Sequence, residues 1–429
     1  MPEPFPTSSS YVAVVRGLLR MHRLAVAGLF ESEEADALRE AMDEPWQGLS
    51  AVERARVAGL SADLNALEGL ASERTPAAMN PRAQGKLVEV DEARQRGEWD
   101  RALGLLRRWD GDVSGAVASY LRGTIWQHAG DPAVAAVFFA HASRLDPENG
   151  NYQAVLLRAL KMADPPEALR CAEQVLAESE ARAPAAVVFA LEVLFGTTRE
   201  AREVEANATF RRLIPLLERT LVRLQKAEDV SPALVGMALV LLASCHEHLG
   251  DARRASESYS LAIQRDPRND ALLTARGVLL YGGSPQALAD FEQAARLGSR
   301  LVWPYFFLAH HYLADARFED ARSACERGLL EKSSARVRSE LQEFLAISLA
   351  GLGYPEEVVR RAFESSIRTD PANDRARRNL EKFESALAAR EPRPRDWERQ
   401  SESSLRASRT EEVRAEVSSS SGRQLALVG

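Results

Sequence analysis

The stretch GDPAVAAVFFAHASRLDP spans residues 130–147, and GDARRASESYSLAIQRDP spans residues 250–267. The two share a skeleton. Gly130, Ala135, Phe139, Ala142, Asp146 and Pro147 in the first match Gly250, Ala255, Tyr259, Ala262, Asp266 and Pro267 in the second, each 120 residues on. Small and bulky residues three and four apart share one helix face. A Gly ahead of them supplies the left-handed cap of a preceding helix, and a Pro behind them ends the helix. The skeleton therefore describes a turn followed by the second helix of a hairpin. It recurs seven times at a spacing of about 34 residues, which is how a stack of helical hairpins reads in sequence.

Outward from these two copies, Gly97, Ala102, Leu106 and Trp109 precede the first by 33 residues. Ala168, Ala172 and Val175 follow it by 33. Ala287, Phe291 and Ala294 shift by 34 onto Ala321, Cys325 and Gly328, and Val359, Phe363, Ser366 and Asp370-Pro371 form a looser last copy. The Ala is expected where the two helices of a hairpin cross, since a larger side chain would push them apart.

The pattern resembles the tetratricopeptide repeat family, over roughly residues 84–179 and 232–373, most clearly at Gly123, Trp126, Gly130, Ala135, Phe139, Ala142 and Pro147. The resemblance implies an all-α solenoid of helix-turn-helix repeats whose first helices line an inner groove. It also implies a non-enzymatic scaffold that binds peptide or helical segments of other proteins there. Carried over by register, the groove positions of the first block are Tyr120, Thr124, Gln127, His128, Asn151, Arg158 and Lys161. Those of the second are Ser244, Glu247, His248, Thr274, Trp303, Phe306 and His310. The first set is polar with two cations, which suits an acidic or carboxylate-bearing segment. In the second, Trp303 and Phe306 either anchor an apolar ligand or pack against the neighbouring repeat. The Lys/Asn/Arg set with which some family members clamp a terminal carboxylate has no match here.

The rest of the chain divides around these blocks. Residues 1–10 read as a disordered Pro- and Ser-rich arm. Residues 11–75 read as an N-terminal three-helix module, with Ser32 as an N-cap, Pro45 past the end of the second helix, and a capping box at Ser50 and Glu53. A linker at 76–83 leads into repeats over 84–182. Residues 183–230 carry an irregular hairpin whose long second helix contains Pro215, a residue that kinks helices. Ser231-Pro232 restarts the array as N-cap and first helical residue, and repeats resume over 231–373. A capping helix at 374–390 precedes a disordered tail at 391–429.

Composition narrows the function classes. The chain has 429 residues, 45% of them hydrophobic, and a formal charge of -7 with both signs interspersed. No concentrated basic face announces nucleic acid, and no run of 18 uncharged apolar residues announces a membrane span. Arg16, Arg20 and Arg23 interrupt the apolar N-terminal stretch, unlike a secretory leader, so a cytoplasmic location is expected. The Ala- and Arg-rich composition suggests a GC-rich bacterial source.

Cys171, Cys245 and Cys325 fall in different repeats with no CxxC pair and read as buried thiols. The sequence shows no P-loop, HExxH or GxSxG pattern. His246 and His248, two apart, lie on different helix faces. No catalytic residue, metal or cofactor is therefore expected. The alternative to a free-standing adaptor is a regulatory subunit of a larger signalling or secretion assembly, docked through residues 11–75. Self-association through the apolar N-terminal helix is a further expectation.

Overall fold

The computed structural model describes residues 5, 7–69, 81–109, 113–198, 203–227, 231–389 and 409. Every regular element among them is a helix. The chain forms two compact units, Met1–Ala201 and Arg202–Gly429. The first contains α1 (Ser9–Val26), α2 (Glu33–Gln47), α3 (Ala51–Gly69), α4 (Pro81–Gln95), α5 (Trp99–Trp109), α6 (Gly115–His128), α7 (Pro132–Leu145), α8 (Gly150–Ala163), α9 (Pro165–Ala177) and α10 (Pro184–Thr198). The second contains α11 (Glu203–Lys226), α12 (Pro232–His248), α13 (Ala252–Arg265), α14 (Asp270–Leu280), α15 (Gln286–Arg296), α16 (Val302–Ala314), α17 (Phe318–Gly328), α18 (Ala335–Gly351), α19 (Glu356–Thr369) and α20 (Asp374–Ala388). No helix among the described residues is long and apolar enough to cross a membrane.

Helices pair in sequence, as the repeat dictates. In the first unit α4 packs on α5, α6 on α7 and α8 on α9; in the second α12 packs on α13, α14 on α15, α16 on α17 and α18 on α19. Each second helix also meets the next first helix, as in α7 on α8 and α17 on α18. The small residues explain how. Ala102, Ala135, Ala142, Ala168, Ala172, Ala255, Ala262, Ala294 and Ala321 have no exposed surface. Beside them Phe139 and Phe291 fill the hairpin interior, and burying each contributes roughly 1.5–3 kcal/mol. A glycine makes room for each ring: a Cβ on Gly123 would lie 2.5 Å from Phe139, and one on Gly277 would lie 2.6 Å from Phe291.

The turns repeat as closely as the cores. Gly130 has φ 94° and Gly250 φ 79°, a region only glycine enters freely. Asp131 N–H donates to Trp126 O at 2.9 Å, and Asp251 N–H to His246 O at 2.9 Å, so orphaned carbonyls at both helix ends are satisfied. Each Asp then caps the following helix, accepting from Val134 N–H or Arg254 N–H at 3.1 Å.

The third N-terminal helix, α3, is fastened to the first repeats by ion pairs. Asp63 on α3 is buried and accepts from Arg107 Nε and Nη2 on α5, at 2.9 and 2.7 Å. Arg122 on α6 lies 3.2 Å from the same carboxylate. Arg56 on α3 donates to Asp100 at 2.9 and 2.8 Å. The expected capping box is present: Ser50 N–H donates to Glu53 Oε2 at 2.9 Å, and Glu53 N–H donates to Ser50 Oγ at 3.3 Å. Ser32 caps α2 by accepting from Ala35 N–H at 3.3 Å.

Some expectations need correction. Pro45 lies inside the last turn of α2 rather than beyond it. So near the end of a helix the missing N–H and ring clash touch a single turn. Within the arm expected to be disordered, Phe5 is buried and donates its N–H to Ala129 O at 2.9 Å, and Ser8 caps α1. An aromatic ring at position 5 gives this segment apolar surface to bury, which its Pro and Ser content hides. Ser231 occupies the N-cap of α12, but its hydroxyl makes no capping bond. Of the expected linker, residues 76–80 lie outside the described residues, and Pro81 opens α4. The tail expected over 391–429 also lies outside them, except Arg409. Of the irregular hairpin, α10 packs on α8 and α9 within the first unit, and α11 packs on α12 within the second.

Candidate protein-binding faces

In the first unit the groove positions fall on α6 and α8. Tyr120 is spent on packing: its ring lies 5.3 Å from Tyr152 and 6.0 Å from Phe139. Thr124 donates its hydroxyl to Tyr120 O at 2.9 Å, the usual way a mid-helix Thr satisfies itself. His128 is half-buried, with Nδ1 at 2.7 Å from Thr124 O and its ring stacked on Trp99 at 6.5 Å. Burial holds its pKa below the usual histidine value. Gln127 is half-buried, and Asn151 is exposed in the first turn of α8.

Arg158 and Lys161 are one turn apart on α8, and α10 packs alongside. Lys161 Nζ donates to Glu192 on α10 at 2.8 Å, with 43% of the lysine side chain exposed. The Arg158 guanidinium lies 5.8 Å from the Phe189 ring, also on α10. Two first helices thus share an accessible strip bearing two cations, one ring and one carboxylate.

The second unit differs. Ser244 and Glu247 on α12 are half-buried, and Glu247 accepts from the Tyr259 hydroxyl at 3.3 Å. His248 stacks on Phe210 of α11 at 4.6 Å. Thr274 is fully buried and donates to Asp270 O at 2.7 Å. Trp303 and Phe306 are 2% and 0% exposed, 5.9 Å apart, and Phe306 lies 5.4 Å from Phe344 of α18. His310 is buried with Nδ1 at 2.8 Å from the Tyr281 hydroxyl.

Of the two roles open to Trp303 and Phe306, the structure realises packing between repeats. Thr274 and His310 likewise belong to the interior rather than to an accessible face. α16 is apolar over most of its circumference, with Val302 through His310 all buried, so its register alone cannot separate a groove side from a core side.

Several charged residues were not singled out by register. Glu343 on α18 is fully buried and accepts from Arg375 of α20 at 2.8 and 2.9 Å and from Asn379 at 2.8 Å. Asp290 is buried and accepts from Arg276 at 2.8 and 2.7 Å. Glu340 on α18 meets Arg409, and Arg409 has no exposed surface. A carboxylate at an otherwise apolar helix register, such as Glu343 beside Phe344, is the available sequence signal.

Of the three thiols expected to be buried, Cys171 on α9 is only half-buried. Cys245 and Cys325 have no exposed surface. Burial pushes the Cys245 thiol up to about 12 and raises that of Cys325 as well.

The sequence matches no protein-family model and no curated protein. Among solved structures it is similar to a tetratricopeptide repeat protein from Parabacteroides merdae, at 15% identity and a TM-score of 0.39, covering 62% of this chain and 98% of that one. It is similar to the Cut9–Hcn1 hetero-tetramer of the APC/C, at 14% identity and 0.36, covering 87% of this chain and 63% of that one. BtubC from P. vanneervenii gives 18% identity and 0.35, covering 59% and 97%. The consecutive helix pairing, the buried alanines and the left-handed glycine turns make each unit an all-α array of helix-turn-helix hairpins.

Proposed function

We propose that this chain is a non-enzymatic scaffold that holds a segment of another protein against the first helices of its first unit. The segment's chemistry is set by Arg158 and Lys161, which favour an acidic or carboxylate-bearing stretch of chain. The observation that carries the reading is the strip shared by α8 and α10. There, Lys161 keeps 43% of its side chain exposed while bridging to Glu192 at 2.8 Å. An exposed bridge of this kind contributes little to stability, so an incoming carboxylate can displace Glu192 at small cost. Asn151 on α8, exposed, and Gln127 on α6, half-buried, add uncharged polar groups that suit backbone contacts. The scaffold requires no cofactor or metal, and its partner is protein rather than nucleic acid.

The regulatory-subunit alternative asks residues 11–75 to dock elsewhere as a module. The Asp63 and Arg56 pairs tie α3 to α5 and α6 instead, so the adaptor reading is the one adopted.

The test begins with affinity capture from source cells by the full chain, followed by direct titration of each purified candidate partner. A true partner loses at least tenfold in affinity against Lys161→Glu and Arg158→Glu, with an unchanged melt. Its affinity also falls with rising salt. A partner indifferent to both reversals removes the acidic-segment reading.

A further inference from the structure

We propose that the second unit carries a built-in ligand, the chain's own C-terminal segment around Arg409, seated through an arginine pocket formed by Glu340 and Phe306. Arg409 is the observation. An arginine rarely loses all exposure unless it is paired, and this one belongs to a stretch rich in Ser, Arg and Glu, twenty residues beyond Ala389. Its Nη2 donates to Glu340 Oε1, and its guanidinium carbon lies 5.6 Å from the centre of the Phe306 ring. Glu340 itself is 6% exposed, and its Oε2 is buried with no hydrogen-bond partner among the described residues. Carboxylate and ring together form a site whose chemistry suits a guanidinium: one carboxylate oxygen takes a charged N–H donor and the ring takes a flat cation.

A second arginine shows that this combination of groups recurs along α18. One turn along, Arg375 donates to Glu343 at 2.8 and 2.9 Å and lies 5.2 Å from the Phe344 ring. Each site joins a glutamate of α18, a phenylalanine and an arginine. At Glu343 the arginine comes from the packed helix α20 and is part of the fold. At Glu340 it comes from a residue twenty positions beyond Ala389 in sequence. Among the described residues Arg336 also reaches Oε1, at 3.4 Å, but has 55% of its side chain exposed. Arg409 thus supplies from the tail what Arg375 supplies from the body. A partner bearing an arginine in an extended segment would have to displace it, so the tail regulates access to this unit. Arg158 and Lys161 belong to the other unit, and either proposal can fail while the other stands.

Two measurements on the full chain test it. Limited trypsin digestion of the unaltered protein compares cleavage after Arg406, Arg409 and Arg414. Cleavage after Arg409 is expected to be at least tenfold slower than after its neighbours, and Glu340→Gln should bring the three rates together. In the second, a synthetic peptide of residues 401–417 is titrated into full-length Arg409→Ala, whose own pocket is vacated. It should bind that variant at least tenfold more tightly than the unaltered chain. A peptide with alanine in place of Arg409 should not bind. Equal cleavage at the three arginines in the unaltered protein, or equal peptide affinity for the two chains, overturns the proposal.

Discussion

At the scale of single residues, the array is governed by positions where size is fixed from both sides. Gly123 faces Phe139 so closely that a methyl group would sit 2.5 Å from the ring. Gly123→Leu is expected to destabilise the first unit by about 1–3 kcal/mol through overpacking, read as a lowered urea midpoint. Trp303 tests the opposite defect. It is 2% exposed, and its Nε1 has no hydrogen-bond partner among the described residues, so its contribution is packing alone. Trp303→Ala should cost about 3–5 kcal/mol through the cavity it leaves, and Trp303→Phe distinctly less. A Trp303→Ala protein with an unshifted thermal melt would refute the interior assignment. The alanines and the glycine turns were legible because their chemistry leaves a spacing in the sequence. The burial of Trp303 and Phe306 was not, because an aromatic residue satisfies a groove and a core equally well, and only their ring neighbours, Phe307 of α16 and Phe344 of α18, decide between them.

At the scale of helices, the start and stop signals carried most of the architecture. Gly130-Asp131 and Gly250-Asp251 end one helix and cap the next with the same bonds, 120 residues apart. Asp131→Ala and Asp251→Ala should each lower stability by about 0.5–2 kcal/mol, the usual loss for an N-cap. Asn at either position should recover most of it, since its carbonyl oxygen accepts the same N–H; chemical denaturation of the four variants measures this. Where a signal was misread, the cause was local. Proline breaks a helix interior, so Pro45 reads as a stop, yet the last turn of α2 tolerates it. Phe5 was lost in a Pro- and Ser-rich arm because composition averages over the one residue that finds a partner, Trp126, at 5.6 Å. The long-range ion pairs of Asp63, Glu343 and Glu340 have no sequence signature beyond a carboxylate at an apolar register. Each joins residues 44, 32 or 69 positions apart.

At the scale of the whole molecule, the buried histidines set how the fold answers acid. His141 is 3% exposed. Its Nδ1 lies 2.9 Å from Ser119 Oγ, and its Nε2 lies 3.2 Å from Leu67 O. A carbonyl only accepts, so Nε2 carries the hydrogen, Nδ1 accepts from the serine, and the ring is neutral. Burial, reinforced by the positive charge of Arg144, lowers its pKa to about 4. Burial lowers those of His128 and His246 too. An unfolded histidine titrates near 6.5, so below that pH the unfolded chain binds protons that the folded one refuses. Linkage then makes stability fall with pH. The contribution of His141 is whole above about pH 6.5 and is lost progressively as pH drops toward 4. Glu53 adds a second, lower window. Hydrogen bonds from Ser8 and Ser50 bring its pKa to about 2, so the stability tied to its carboxylate disappears as pH falls from about 4.5 toward 2. Thermal melts between pH 7.5 and 4.5 should therefore fall by several degrees in the unaltered protein. His141→Phe keeps an apolar ring there and removes the titration. It should start lower at pH 7.5, for want of two hydrogen bonds, yet lose less on acidification. Parallel melting curves for the two proteins across this range would show that His141 does not carry the acid response.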